Sequence, residues 1–307
     1  MILISEFMDE MAVKKLKERH KVIYDPSLVL NQSLIPKFIK ESQAIIVRNK
    51  TLVTRELMEF APKLLCVGRL GVGLDNIDMQ ACKKNKITVY PATGANANSV
   101  AEYVVCTAMI LLRGAFQKNI DMLAGRWPRE ESFGLEVHGK TLGLIGFGEI
   151  AQRTKTLAKP LGMKIVAYDP HIDPNHKVWI GTKNLSLDEV LKVSDVISLH
   201  VPFTKLTRQL IDEEKLRLIK PSSILINTAR GGIVDEEALA NALKEGRIGG
   251  AALDVFSKEP LNSQHSKLFE GLSNIILTPH IAGITKDSNH RVSELIATKI
   301  DQHLSGI

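Results

Sequence analysis

Short runs of continuously apolar residues, each parted from the next by a stretch with helical spacing, set the strongest limit on how this chain can fold. In the first third the runs lie at 2–5, 21–24, 44–47, 64–67 and 88–90. Between them MDEMAVKKLKER, PKFIKES, TRELMEFAP and DMQACKKN place apolar residues three and four apart, the spacing of one helix face. From Lys140 the rhythm returns, with runs at 141–145, 164–168, 196–200, 223–227, 249–254 and 274–277. A strand wetted on one side alternates apolar and polar residues, whereas one apolar throughout is covered on both sides. Strand followed by helix, many times over, predicts doubly wound parallel sheets.

With 307 residues, two domains are expected. The loop PATGANANS (91–99) suits a hinge, and Ser99 stands three residues before Glu102, the spacing of a capping box. Residues 100–112 are too long and too apolar for a strand and read as a buried helix. The stretch 288–307 also reads as helix and can return to the first domain. The expected division is 1–97 with 288–307, a discontinuous domain, and 98–287.

No apolar run nears the roughly 20 residues of a membrane span. MILISEFMDE sets acidic residues directly after its apolar stretch, unlike a secretory leader. The three cysteines, Cys66, Cys82 and Cys106, have no metal-ligand spacing and read as reduced, partly buried thiols of a cytoplasmic protein. The net charge of +6 comes from scattered lysines, with no basic stripe interleaved with aromatics. Neither a nucleic acid nor a membrane is expected as a partner, and no metal.

The sharpest local signal is TLGLIGFGEIA (141–151), in which Gly146, Gly148 and Ala151 form Gly-x-Gly-x-x-Ala after an apolar run. The first glycine permits a tight turn and the second lets a pyrophosphate approach the backbone. The alanine lets helix and strand press together, with the helix's first N–H groups facing the phosphates. Asp169 ends the next run 23 residues after Gly146, where a carboxylate bonds the adenosine ribose and repels a 2′-phosphate. The cofactor expected is NAD.

Three later segments, NTARGGIVDE (227–236), ALDVFSKEP (252–260) and TPHIAG (278–283), carry polar residues at the carboxyl ends of strands, where ligands of open α/β sheets bind. Arg230, Glu259 and His280 are candidates for one cleft. Oxidising an alcohol by hydride removal needs a base for the hydroxyl proton, and histidine suits that near neutral pH. A carboxylate beside a histidine fixes its tautomer. A guanidinium orients a 2-hydroxy acid by pairing with its carboxylate.

These segments, with VGRLGVGLDNID (67–78), VAYDP (166–170) and VISLHVPFTKLTRQLID (196–212), are similar to those of the D-isomer-specific 2-hydroxyacid dehydrogenase family over nearly the whole chain. Ala151 in place of a third glycine is a minor departure. The resemblance implies a Rossmann NAD-binding domain inserted in a flavodoxin-like substrate domain. It implies His280 as acid/base, Glu259 as its partner, and Arg230 as anchor of substrate and carbonyl. It implies Val72 and Gly73 as backbone donors to the substrate carboxylate. Gly146, Phe147, Gly148, Glu149, Ile150, Asp169, His200, Pro202, Thr207, Thr228, His280 and Gly283 line the cofactor by the same token, with Asp254 on the nicotinamide amide. A homodimer built through the cofactor domain is implied too.

Within the family, VRNKTLVT (47–54) and VGRLGVG resemble phosphoglycerate dehydrogenases. LISEFMDE (3–10), VGRLGVGLDNID (67–78) and PATGANANSVAEYV (91–104) look more like (S)-sulfolactate dehydrogenases. Both subgroups take a small dianionic substrate, which gives Arg48 and Arg69 a distal anion to bind. The end at Ile307 carries the expectation of no C-terminal regulatory domain. Because the carboxylate loop and the histidine fall in different expected domains, closure about 96–99 and 286–289 is expected as well. A glyoxylate or hydroxypyruvate reductase and, from another class, an NAD-sensing corepressor-like interaction protein are the alternatives.

Overall fold

The computed structural model describes residues 1–306. The chain divides into two compact units: Met1–Asn96 together with the segment from Ile284 onward, and Ala97–Gly283.

The first unit holds β1 (Ile2–Ile4), β2 (Val22–Tyr24), β3 (Ala44–Val47), β4 (Cys66–Arg69) and β5 (Thr88–Pro91), with helices α1 (Glu10–Arg19), α2 (Ile35–Ile39), α3 (Arg55–Glu59) and α4 (Met79–Lys84) between them. All pairings are parallel and the order is β2-β1-β3-β4-β5. This is the flavodoxin-like order, which reverses between β1 and β3. Residues on successive positions of a strand enter opposite cores. Leu3, Ile45, Val47 and Val67 meet one face, while Ile2, Ile4, Ala44, Ile46 and Cys66 meet the other. Strand β4 begins later than its apolar run suggests. The N–H of Leu64 donates to Ala61 O in a turn, so Leu64 is buried without pairing.

The second unit holds α5 (Ala97–Arg113), α6 (Lys118–Leu123), β6 (Thr141–Ile145), α7 (Glu149–Ala158), β7 (Lys164–Tyr168), β8 (Lys183–Asn184) and α8 (Leu187–Val193). There follow β9 (Val196–Leu199), α9 (Glu213–Leu216), β10 (Ile224–Asn227), α10 (Glu236–Lys244), β11 (Gly250–Leu253), α11 (Ser263–Ser266) and β12 (Ile275–Leu277). Its sheet is also all parallel, in the order β12-β11-β10-β9-β6-β7-β8. Counted from β6 this is the Rossmann order with one strand added at the far edge. The edge strand β8 was not expected, because a pair of exposed polar residues carries no apolar signal.

The chain then returns to the first unit as α12 (Lys286–Ser305), whose Val292, Ile296, Ala297 and Ile300 join the core with Ile2, Ile4 and α1. Thr285 and Ser288 close a capping box at its start, so residues 286–289, expected as hinge, are its first turn. Ser99 does not cap either, since α5 starts two residues earlier and buries it. Of the cysteines, Cys66 and Cys82 are buried and burial pushes their thiols up to about 12 and about 11, whereas Cys106 is exposed rather than partly buried. No described helix is long and apolar enough to cross a membrane.

Ala151 on α7 is fully buried in the core that α5 shares with β6, alongside Val104 and Ala108. A larger side chain there must push the helix off the sheet. Ala151→Leu is expected to lower stability by about 1–3 kcal/mol through overpacking. Urea unfolding measures it, and an unchanged midpoint would show that this contact is slack.

Candidate active site

The turn after β6 is shaped for a phosphate group. Gly146 has φ +86°, a left-handed conformation that favours glycine, and a Cβ on it would lie 2.6 Å from His200 O. That contact joins the ends of β6 and β9, where the strand order reverses. At Gly148 the space a Cβ would fill is open, and α7 begins there without a side-chain cap. Among the described residues no group engages the N–H of Glu149 or Ile150 outside the helix. Unsatisfied N–H groups at a helix start suit an anion, so the residues present fit a dinucleotide pyrophosphate. Asp169 stands at the end of β7 and accepts from the N–H of Phe147 at 2.9 Å and of His171 at 3.0 Å.

Phe147, also expected along the cofactor, turns its ring into the core. It is fully buried and stacked on Trp179 at 5.0 Å. Its N–H is held by Asp169 and its carbonyl accepts from Gln152 Nε2 at 3.2 Å, so it seats the turn. Thr207 is also tied up locally, its hydroxyl donating to Pro202 O at 2.6 Å and accepting from Thr204 N at 2.7 Å. Thr228 keeps a buried hydroxyl without a partner at the end of β10.

His280 and Glu259 come together. His280 Nδ1 lies 2.7 Å from Glu259 Oε2, and Glu259 Oε1 accepts from the N–H of Phe256 at 3.0 Å. With Nδ1 taken as donor, Nε2 is the nitrogen left for a ligand on a ring whose side chain is 45% exposed. The histidine backbone is left-handed, φ +58°, which costs a non-glycine residue about 1–3 kcal/mol. Buried Asp254 holds it there. Its Oδ1 accepts from Thr278 Oγ1 at 2.6 Å and Ile281 N at 2.8 Å, and its Oδ2 from Ala282 N at 2.8 Å. Bonds to a charged acceptor contribute about 1.5–3 kcal/mol each, so three of them outweigh the strain. Because Thr278 gives its proton to Asp254, Tyr103 must be the donor in their 2.5 Å bond. Burial holds the Tyr103 phenol above its usual range and keeps it protonated for that task. Asp254 was expected on the nicotinamide amide; any such bond is additional to these three.

Arg230 sits on the loop after β10, partly buried, with Nη1 donating to Ala229 O at 2.6 Å and its own carbonyl accepting from Asn227 Nδ2 at 2.9 Å. The loop lies against the segment that carries Glu259. A Cβ on Gly231 would meet Phe256 O at 1.8 Å, so only glycine permits this approach. Glu236 ties the same two segments by accepting from the N–H and hydroxyl of Ser257 at 2.6 and 3.0 Å. Gly283 closes this unit.

In the first unit, Arg48 and Arg69 stand at the carboxyl ends of neighbouring strands, Val47 pairing with Arg69. The Arg69 guanidinium lies across Gly71, in the space a Cβ would take, and Nη1 reaches Leu70 O at 3.3 Å. Beyond it, no group among the described residues engages the N–H of Val72 or Gly73. Glu6, buried after β1, accepts from the N–H groups of Arg48 and Thr51 at 2.8 Å and of Lys50 at 3.2 Å. Sequence reading missed Glu6 and Asp254 as anchors, since a carboxylate's backbone partners leave no mark on its own neighbours.

A family model described as the NAD-binding domain of D-isomer-specific 2-hydroxyacid dehydrogenases matches residues 105–282. The chain belongs to this family. It is 47% identical to an (S)-sulfolactate dehydrogenase of Chromohalobacter salexigens over 99% of this chain and 98% of that one. It is 37% identical to a D-3-phosphoglycerate dehydrogenase of Synechocystis over its full length, but spans only 54% of that relative. The crystal structure of an Aquifex aeolicus D-lactate dehydrogenase complexed with NAD and lactic acid superposes with a TM-score of 0.88, at 30% identity, covering 100% of this chain and 96% of that one. As a member of the 2-hydroxyacid dehydrogenases, the chain interconverts a 2-hydroxy acid and a 2-oxo acid with NAD as cofactor. The doubly wound pair of parallel sheets is that of its structural relatives.

His200, beside the glycine turn of this dehydrogenase, has an Nε2 cut off from solvent and without a partner. Burial pushes its pKa down from 6.5 to about 3. The unfolded chain therefore takes a proton below pH 6.5 that the folded chain refuses until about pH 3, so stability is lost as pH falls through that window. In His200→Gln this contribution, a slope of up to about 1.4 kcal/mol per pH unit, should vanish. Urea unfolding between pH 4.5 and 7 reads the slope, and parallel profiles for the two proteins would contradict the assignment.

Proposed function

We propose that His280 is the acid/base, Glu259 its orienting partner and Arg230 the group that binds the substrate's carboxylate and carbonyl. NAD, when bound, takes or supplies the hydride. In the oxidising direction His280 Nε2 accepts the hydroxyl proton; in the reducing direction it returns the proton to the carbonyl oxygen. The 2.7 Å bond from Nδ1 to Glu259 supports this reading, because it orients the ring and stabilises the imidazolium that the proton transfer creates. Asp169 disfavours a 2′-phosphate and favours NAD over NADP. His280→Ala should lower kcat by about 10²–10⁴ with NADH affinity, read by fluorescence titration, nearly intact. Normal turnover would remove His280 from the reaction.

The substrate we propose is a small dianionic 2-hydroxy or 2-oxo acid, with sulfonate favoured over phosphate as the second anion. The observation that carries this is the pair Arg48 and Arg69 at adjacent strand ends, next to the open N–H groups of Val72 and Gly73. Two N–H groups suit the substrate carboxylate, and two guanidiniums suit a tetrahedral oxyanion. The sulfonate preference rests on the sulfolactate dehydrogenase relative, which matches 99% of this chain. The enzyme in this reading is cytoplasmic and a homodimer. Support for the dimer comes from Phe116, Ile120, Leu123, Trp127 and Phe133 of the second unit, which are 72–89% exposed along one segment.

Arg69→Ala should reduce kcat/KM for sulfopyruvate by roughly one to two decades, the loss of a charge-assisted contact of about 1.5–3 kcal/mol. Glyoxylate, with no distal anion, should lose much less. Steady-state NADH absorbance with both substrates gives the ratio, and an equal fall for the two would point to a monoanionic substrate instead.

A further inference from the structure

We infer that Asn289, in the first turn of α12, is a positioning residue that aims the Arg48 guanidinium at the substrate's second anion. The inference rests on the reading that Arg48 binds that anion.

Besides the bond from Asn76 Nδ2 to its carbonyl at 3.3 Å, three contacts fix the arginine. Its backbone N–H donates to Glu6 Oε1 at 2.8 Å. Its Nη2 donates to Asn289 Oδ1 at 2.5 Å. Its guanidinium carbon lies 5.9 Å from the centre of the Phe7 ring. The first holds the main chain and the third supplies a surface over which a flat cation can slide. Among the described residues only Asn289 fixes the rotation of the fork, because it takes one named nitrogen. Asn289 is itself placed rigidly, since the Thr285–Ser288 capping box locks the turn and Asn289 N donates to Thr285 O at 3.0 Å.

The choice of an amide has a chemical reason. Burial works against the charge on Arg48, with Glu6 opposing that effect. The arginine is also packed beside the start of a 20-residue helix, whose end is positive. A carboxylate at position 289 would neutralise the guanidinium and remove its pull on a ligand. A neutral carbonyl oxygen holds one nitrogen without adding to the partial compensation from Glu6, and leaves the other donors available to an incoming oxyanion. Phe7 and Arg48 follow β1 and β3, between which the strand order reverses, the place where an open sheet receives its ligand.

The test compares kcat/KM for sulfopyruvate and for glyoxylate in the full-length protein and in N289A, N289Q, N289D, R48A and R48A/N289A. In N289A the sulfopyruvate-to-glyoxylate ratio should fall about three- to tenfold, the weight of one hydrogen bond, chiefly through KM. N289Q, which keeps the carbonyl, should recover part of the loss. N289D should fall further than N289A, although it retains an acceptor, because it pairs with the guanidinium. In R48A/N289A the second change should add nothing to R48A. Additive losses in the double variant, or N289D no worse than N289A, would overturn the inference while leaving Arg48 in its role. An unchanged ratio in R48A would overturn the anion reading itself and this inference with it. N289Q and N289D preserve polarity at the helix start, so the comparison survives if N289A folds poorly.

Discussion

The carboxylate of Asp254 emerges at the end of β11, almost wholly buried, and the segment bearing His280 hangs from it. A buried charge is tolerated only where hydrogen bonds replace water. Here the replacements are a hydroxyl and two N–H groups from one short stretch, so solvating the aspartate and ordering the histidine are the same event. Tyr103 extends the arrangement to α5. The imidazole then needs only one further contact, to Glu259, to have its ring orientation set. Glu259 is in turn steadied by the N–H of Phe256, whose carbonyl lies against Gly231 next to Arg230. The candidate catalytic groups are thus linked through backbone, not through one another's side chains alone.

In the proposed reading, anion recognition is handled in two chemically distinct ways. Where the anion is common to all ligands of a class, as with a pyrophosphate or a 2-oxo carboxylate, the chain presents backbone N–H groups, at α7 and at Val72 and Gly73. Where the proposed second anion would distinguish one substrate from another, the groups assigned to it are guanidiniums, which a single substitution can add or remove. The proposed specificity therefore resides in side chains on strand ends, outside the parts that make the fold.

Much of this was legible from residues alone, for physical reasons that differ from place to place. Strands such as Ala44–Val47 and Thr141–Ile145 were plain because a doubly covered strand must be apolar along its length. The glycine turn was plain because Gly146 and Gly148 answer to backbone sterics that few other residues meet. Lys183–Asn184 was invisible because an exposed edge needs no apolar residue. Ser99 misled because cap spacing recurs inside a helix whose true start lies upstream. The ring of Phe147, though within the motif, is part of the core, which the motif alone does not say. The left-handed backbone at His280 and the partners of Glu6 and Asp254 are products of tertiary contact and have no local signature.

The unequal burial of the three cysteines gives the protein a ready chemical handle. A thiol reacts with alkylating reagents as its thiolate, and burial keeps Cys66 and Cys82 protonated far above neutrality. Cys106, alone among them on the surface, projects from α5, the helix whose Tyr103 anchors the histidine segment three residues earlier. A maleimide dye would accordingly attach at one position of the native chain, without engineering, a turn of helix away from the hydrogen-bond chain that orders the His280 segment.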